Sequence, residues 1–148
     1  AWLGGALATE AQWEKAARGT DARIFPWGNE FNNGMINEVG GGWMPRSPVK
    51  SNAVDVSPYG VYDMAGNVAE WVLDAYSTVA YYRSDITNPV QSSGVEEGRR
   101  LWGSGIAYVT RGGAWNRALS ETRTTSRYFM EPAQRQDWLG FRCATPVP

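Results

Sequence analysis

The chain has 148 residues, with 14 basic and 15 acidic side chains and no histidine. That length carries one domain with a sizeable core and crowds out two. A near-neutral balance without long charge runs leaves no footprint for nucleic acid or an anionic membrane, and no apolar run reaches the roughly 18–20 residues of a membrane span. No signal peptide is expected at Ala1. The missing histidine removes Ser-His and Cys-His nucleophiles, His-Glu zinc motifs and two-His-one-carboxylate iron sites. Eight Trp, seven Tyr and seventeen Gly, with a negative mean hydropathy, predict a core of large rings packed under loops rather than between regular layers.

In chain order, the first element reads as a capped helix. Thr9 is the N-cap, Gln12 completes a capping box and Gly19 supplies the stop. Trp13, Ala16 and Ala17 form its apolar face, with Glu10, Glu14, Lys15 and Arg18 on the solvent side. From Phe25 to Ser57 the signals are almost all turns: Pro26-Trp27-Gly28-Asn29, Asn32-Asn33-Gly34, Gly40-Gly41-Gly42 and the prolines at 45 and 48. So long a loop inside one domain implies function or bound structure holding it. Trp71, Val72 and Leu73 close a short apolar strand or turn, and 77–105 reads as a polar surface excursion. The β-branched and aromatic run 106–110 predicts a buried strand ending at Gly112-Gly113. A final strand covers 138–144, with Phe141 and Cys143 on one face. Cys143 is alone, so no disulfide closes within the chain, and a buried free thiol is expected.

The most informative stretch is residues 60–71, Gly-Val-Tyr-Asp-Met-Ala-Gly-Asn-Val-Ala-Glu-Trp. It mixes turn formers, two carboxylates and two aromatics without a helical or strand period. Irregular backbone that must stay put is usually organised by a ligand or an ion. Together with Leu7-Ala8-Thr9-Glu10-Ala11-Gln12-Trp13-Glu14, Phe25-Pro26-Trp27-Gly28-Asn29, Arg111-Gly112-Gly113-Ala114-Trp115 and Gly140-Phe141-Arg142-Cys143-Ala144, it resembles the formylglycine-generating-enzyme (sulfatase-modifying factor) domain.

The resemblance spans nearly the whole chain and implies an α+β, irregular, loop-rich fold of the C-type-lectin-like, sulfatase-modifying-factor type. It implies one domain over 1–148 that lacks the family's N-terminal portion, so that either another chain or segment completes it or its core is rearranged. Calcium-binding members use the 60–71 loop, and by alignment the ligands here are Asp63, the carbonyls of Gly66 and Val68, and the Glu70 side chain. Alternatively, Asp63 and Glu70 cap local N–H groups. A second family site near Asn37 is not carried over, because the loop supplying its other ligands is shortened. In some relatives the cysteine matching Cys143 is paired; related iron-dependent domains draw their histidines from a neighbouring domain.

Formylglycine-generating members place two copper-binding cysteines shortly after the Gly-Gly-x-aromatic motif. Residues 116–127 here hold none, and since soft thiolates select Cu(I), no copper is expected. That stretch instead carries Arg117, Arg123 and Arg127 beside Trp115, Tyr128 and Phe129. Arginines and rings favour recognition, so Trp115, Arg117, Arg123, Tyr128 and Trp138 are expected to border a ligand-facing surface. The competing reading pairs Arg123, Arg127 and Arg142 internally with Glu10, Asp74 or Glu121. Three functions follow: a non-catalytic module binding a protein or other ligand, a formylglycine-generating oxidoreductase, or a structural part of a larger assembly such as a secretion or gliding machinery.

Overall fold

Helix α1 (Glu10–Arg18) forms where its caps predict. Thr9 N–H donates to Gln12 Oε1 at 2.9 Å, and Gln12 N–H donates to Thr9 Oγ1 at 3.1 Å, closing the capping box. Gly19 leaves the helix at φ 72, a left-handed position where a Cβ would also press on Pro58. The computed structural model describes residues 4–31, 46–83, 85, 87–92 and 105–145, so the Asn37 region and the Gly40-Gly41-Gly42 turn lie outside the described residues.

The remaining elements are β1 (Ala6–Leu7), β2 (Ala69–Ala75), the short helix α2 (Ala80–Arg83), β3 (Tyr108–Arg111), a 3-10 turn (Leu119–Thr122), β4 (Tyr128–Met130), β5 (Leu139–Phe141) and β6 (Cys143–Ala144). One sheet runs β4-β3-β2-β5 and a second consists of β1 and β6. β3 pairs antiparallel with β2 and β4, whereas β5 runs parallel to β2 in the register Glu70↔Gly140. This is an α+β chain made mostly of loops, and none of its described helices is long and apolar enough to cross a membrane.

Alternation along β2 separates two faces. Glu70, Val72 and Asp74 are buried toward α1: Glu70 accepts from Trp13 Nε1 at 2.7 Å and Asp74 accepts from Glu10 N–H at 2.6 Å. Trp71 and Leu73 face the other way and, with Leu7, Tyr108 and Pro132, line an apolar groove of about 270 Å³.

Four expectations change here. The core cluster is Ala8, Trp13, Ala17, Met64, Val72 and Val109; Trp13 is its one indole, and the other described indoles, Trp27, Trp71, Trp115 and Trp138, are only half-buried. Glu10 is not on the solvent side but 5% exposed, because Arg127 and Arg111 bring positive charge to it. The stretch 138–144 is two strands, since the chain leaves the large sheet at Arg142 and joins β1. Phe141 and Cys143 consequently belong to different sheets, and Cys143 is exposed rather than buried.

Candidate functional site

The 60–71 loop is fixed from several sides. Gly66 N–H donates to Gly112 O at 2.7 Å and Trp115 N–H to Asn67 O at 3.0 Å, so it is stitched to the loop after β3. Gly112 and Gly113 make that loop possible, with φ of 92 and 67; a Cβ on Gly113 would lie 2.8 Å from Thr122 Cγ2. From below, the buried Asp55 carboxylate accepts Ala65 N–H at 2.9 Å. Burial pushes the Asp55 carboxyl up to about 7, against the opposing help of the Ala65 N–H.

Glu70 and Arg142 join this loop to the core. Arg142 donates from Nε and Nη2 to Glu70 at 2.6 and 2.7 Å, and from Nη2 to the carbonyls of Tyr62 and Asp63 at 3.1 and 2.9 Å. Burial lowers the Arg142 pKa, but the bonds and charge of Glu70 outweigh it and the net shift is upward.

The donor chemistry of the expected calcium ligands fits a hard cation. Asp63, Val68 and Glu70 line one cleft; Gly66 is buried and does not line it. Asp63 Oδ2 accepts Lys50 N–H at 2.7 Å, which leaves Oδ1. Glu70 Oε2 takes both Trp13 and an Arg142 bond, whereas Oε1 takes one bond and keeps a lone pair. Among the described residues no three Asp, Glu or Cys side chains cluster, so carbonyls would supply most of the coordination. The alternative of local capping finds no local N–H among the bonds to either carboxylate: Asp63 accepts from Lys50, and Glu70 from Trp13 and Arg142.

The arginines divide. Arg127 is internal, bidentate on Glu10 at 2.6 and 2.7 Å, and Arg142 is internal on Glu70. Arg123 is exposed at the end of the 3-10 turn. Arg117 lies over Trp138 at 4.3 Å and reaches Glu121 only at 3.9 Å. Arg117, Tyr128 and Trp138 line one cavity of about 70 Å³, together with Glu121, Phe129 and Met130. Burial and the Glu121 charge raise the Tyr128 pKa. Trp115 and Arg123 do not line that cavity.

Sequence reasoning missed Arg111. It is 0% exposed, donates to the carbonyls of Ser126 and Thr124 at 2.7 and 2.8 Å, pairs with Glu14, and lies 5.2 Å from the Trp13 ring. The signal was present: with Val109 on the inner face, Arg111 two residues on must share it. For Asp55 no local pattern gives a signal.

This architecture, with its stitched loop and its Arg142–Glu70–Trp13 tie, belongs to the formylglycine-generating class of folds. The family description "Sulfatase-modifying factor enzyme 1-like domain" matches residues 1–147, and the chain belongs to that family. It is 33% identical over 147 residues to the serine/threonine-protein kinase pkn1 of Chlamydia pneumoniae, covering 99% of this chain and 22% of the kinase. It is 33% identical over 159 residues to the inactive C-alpha-formylglycine-generating enzyme 2 of Bos taurus, covering 98% of this chain and 45% of that protein. PvdO from Pseudomonas aeruginosa superposes with a TM-score of 0.73, with 28% identity over 96% of this chain and 55% of PvdO. The chain thus spans less than half the length of these two curated relatives.

Proposed function

We propose that the domain is a non-catalytic module that binds a protein or other ligand on a formylglycine-generating-enzyme-like scaffold. The observation that carries this reading is residues 116–127: where the resemblance places two cysteines there are none, and the chain's one thiol, Cys143, sits at the β1–β6 sheet. In their place Arg117, preorganised on Trp138, borders a cavity with Tyr128. The test has two arms. A sulfatase-type cysteine peptide incubated with the chain and copper should yield no formylglycine by mass spectrometry; copper-dependent product would establish the oxidoreductase instead. In the second arm, a partner captured from the native source should lose about 2 kcal/mol or more of affinity on Arg117→Ala or Trp138→Ala, with the melting temperature nearly unchanged. Sharp parallel loss of stability would make these residues structural.

The same reading includes a structural calcium ion at Asp63 and Glu70 with the carbonyls of Gly66 and Val68, fixing the loop. Calorimetry should show saturable calcium binding that Asp63→Asn weakens strongly; equal binding by the variant would remove the site. A role in a larger assembly is favoured by the apolar groove of Leu7, Trp71, Leu73, Tyr108 and Pro132, and sedimentation of the full-length natural protein would show whether it is complexed.

A further inference from the structure

The cleft beside the 60–71 loop is wider than an ion needs. It encloses about 440 Å³, within the roughly 300–1,000 Å³ typical of small-molecule sites. Its rim is built rather than loose. Asn67 accepts from Ser47 N–H at 3.0 Å and donates to Ser47 O at 3.2 Å, while Asp63 takes Lys50 N–H. Lys50, Asp63 and Asn67 all line the cleft and all hold left-handed φ, at 63, 56 and 59. Asp and Asn tolerate this region, but a lysine there costs about 1–2 kcal/mol, and strain of this kind gathers at ligand clamps.

The chemistry of the lining is asymmetric. Phe141 is 66% exposed and Val49 is 79% exposed, giving an apolar wall. The Lys50 ammonium lies 5.6 Å from the Tyr62 ring, and among the described residues no carboxylate pairs with it. Arg142 uses Nε and Nη2 for Glu70, Tyr62 and Asp63, and Nη1 makes none of those bonds. Glu70 and Arg142 balance one another's charge, and Asp63 also lines the cleft, its Oδ2 held by the Lys50 N–H. The donors left to a ligand are Lys50 Nζ and Arg142 Nη1, beside exposed apolar surface.

We propose that this cleft binds a carboxylate carried on an apolar or aromatic group, with the anion on Lys50 Nζ and Arg142 Nη1 and the apolar part against Phe141 and Tyr62. A free organic acid and the chain end of a peptide whose last residue is apolar share that chemistry. The site uses none of the residues of the Arg117 cavity, and it does not require calcium.

The probes are N-acetyl-phenylalanine, its amide, acetate and a short peptide ending in phenylalanine, titrated calorimetrically with calcium present and with a chelator. N-acetyl-phenylalanine should saturate the chain in both conditions, with the amide and acetate at least about tenfold weaker, as loss of a charge-assisted contact or of the apolar one requires. Lys50→Gln and Phe141→Ser, both at exposed side chains, should each weaken it about fivefold or more while circular dichroism stays unchanged. Tighter binding of the peptide than of the acid identifies a chain end; binding of the acid alone identifies a small molecule; either supports the site. Equal binding of the amide, wild-type affinity in both variants, or binding only with calcium present overturns it. Calcium binding is measured separately without probe, so its failure leaves this site standing, and its success does not rescue it.

Discussion

Arg111→Met should destabilise the domain by about 3–5 kcal/mol, the cost of breaking a buried pair by removing one partner. The structure apportions that loss. The carbonyls of Ser126 and Thr124 lose their guanidinium donors inside the protein, at about 1–3 kcal/mol each. Glu14 loses a partner but keeps Arg18 at 3.2 Å and partial solvent access, and Glu10 keeps its bidentate Arg127, so the carboxylates add less. Methionine replaces most of the aliphatic stem, so cavity formation is minor. Against a total stability of roughly 5–15 kcal/mol, such a loss moves the midpoint of unfolding far down. Urea titration followed by tryptophan fluorescence reads it directly, since Trp13 packs on the substituted residue. Arg111→Lys should recover only part, because one ammonium cannot reach two carbonyls and a carboxylate in the geometry of a planar fork. A loss under about 1 kcal/mol for Arg111→Met, with an unchanged m-value, would refute the view that the buried ionic layer holds α1 on the sheet.

Asp55 gives a pH dependence with a definite sign. Its folded carboxyl titrates near 7, against about 3.9 in an unfolded chain. Its contribution is therefore complete below the unfolded value and is lost as pH rises through about 7; Asp55→Asn should flatten that part of the profile, and an unchanged slope in denaturant titrations at several pH values would count against the assignment. Gly113→Ala should cost about 2 kcal/mol or more, combining a left-handed φ of 67 with a Cβ 2.8 Å from Thr122 Cγ2. A thermal melt within a degree or two of wild type would show that the loop can shift freely.

What could be read from the chain follows the range of the interactions. Helix α1 was legible to its caps because Thr9, Gln12 and Gly19 act within a few residues of one another. Glu10, on the same helix, was placed on the wrong side because its partners Asp74 and Arg127 lie 64 and 117 residues away. Cys143 was misplaced for a related reason: alternation puts it with Phe141, but the change of sheet at Arg142 is set by pairing with β1, which local pattern does not encode. In the candidate sites, Asp63, Val68 and Glu70 do line a common cleft, as a loop tied at both ends would arrange them. Of the five residues expected on a ligand-facing surface, three line one cavity and Trp115 and Arg123 are not among its lining residues. Irregular backbone has no period, so spacing along it does not say which side chains converge.

The pairing of β1 with β6 joins Ala6 to Ala144 and Leu7 to Cys143, so the chain enters and leaves the described fold through the same doorway. Whatever precedes Ala6 and follows Ala144 therefore starts from two points only one strand spacing apart, about 5 Å. In the chlamydial kinase the matching segment is likewise only 22% of the polypeptide, so both of its chain ends continue from or return to such a pair of neighbouring points wherever the strand pairing is kept.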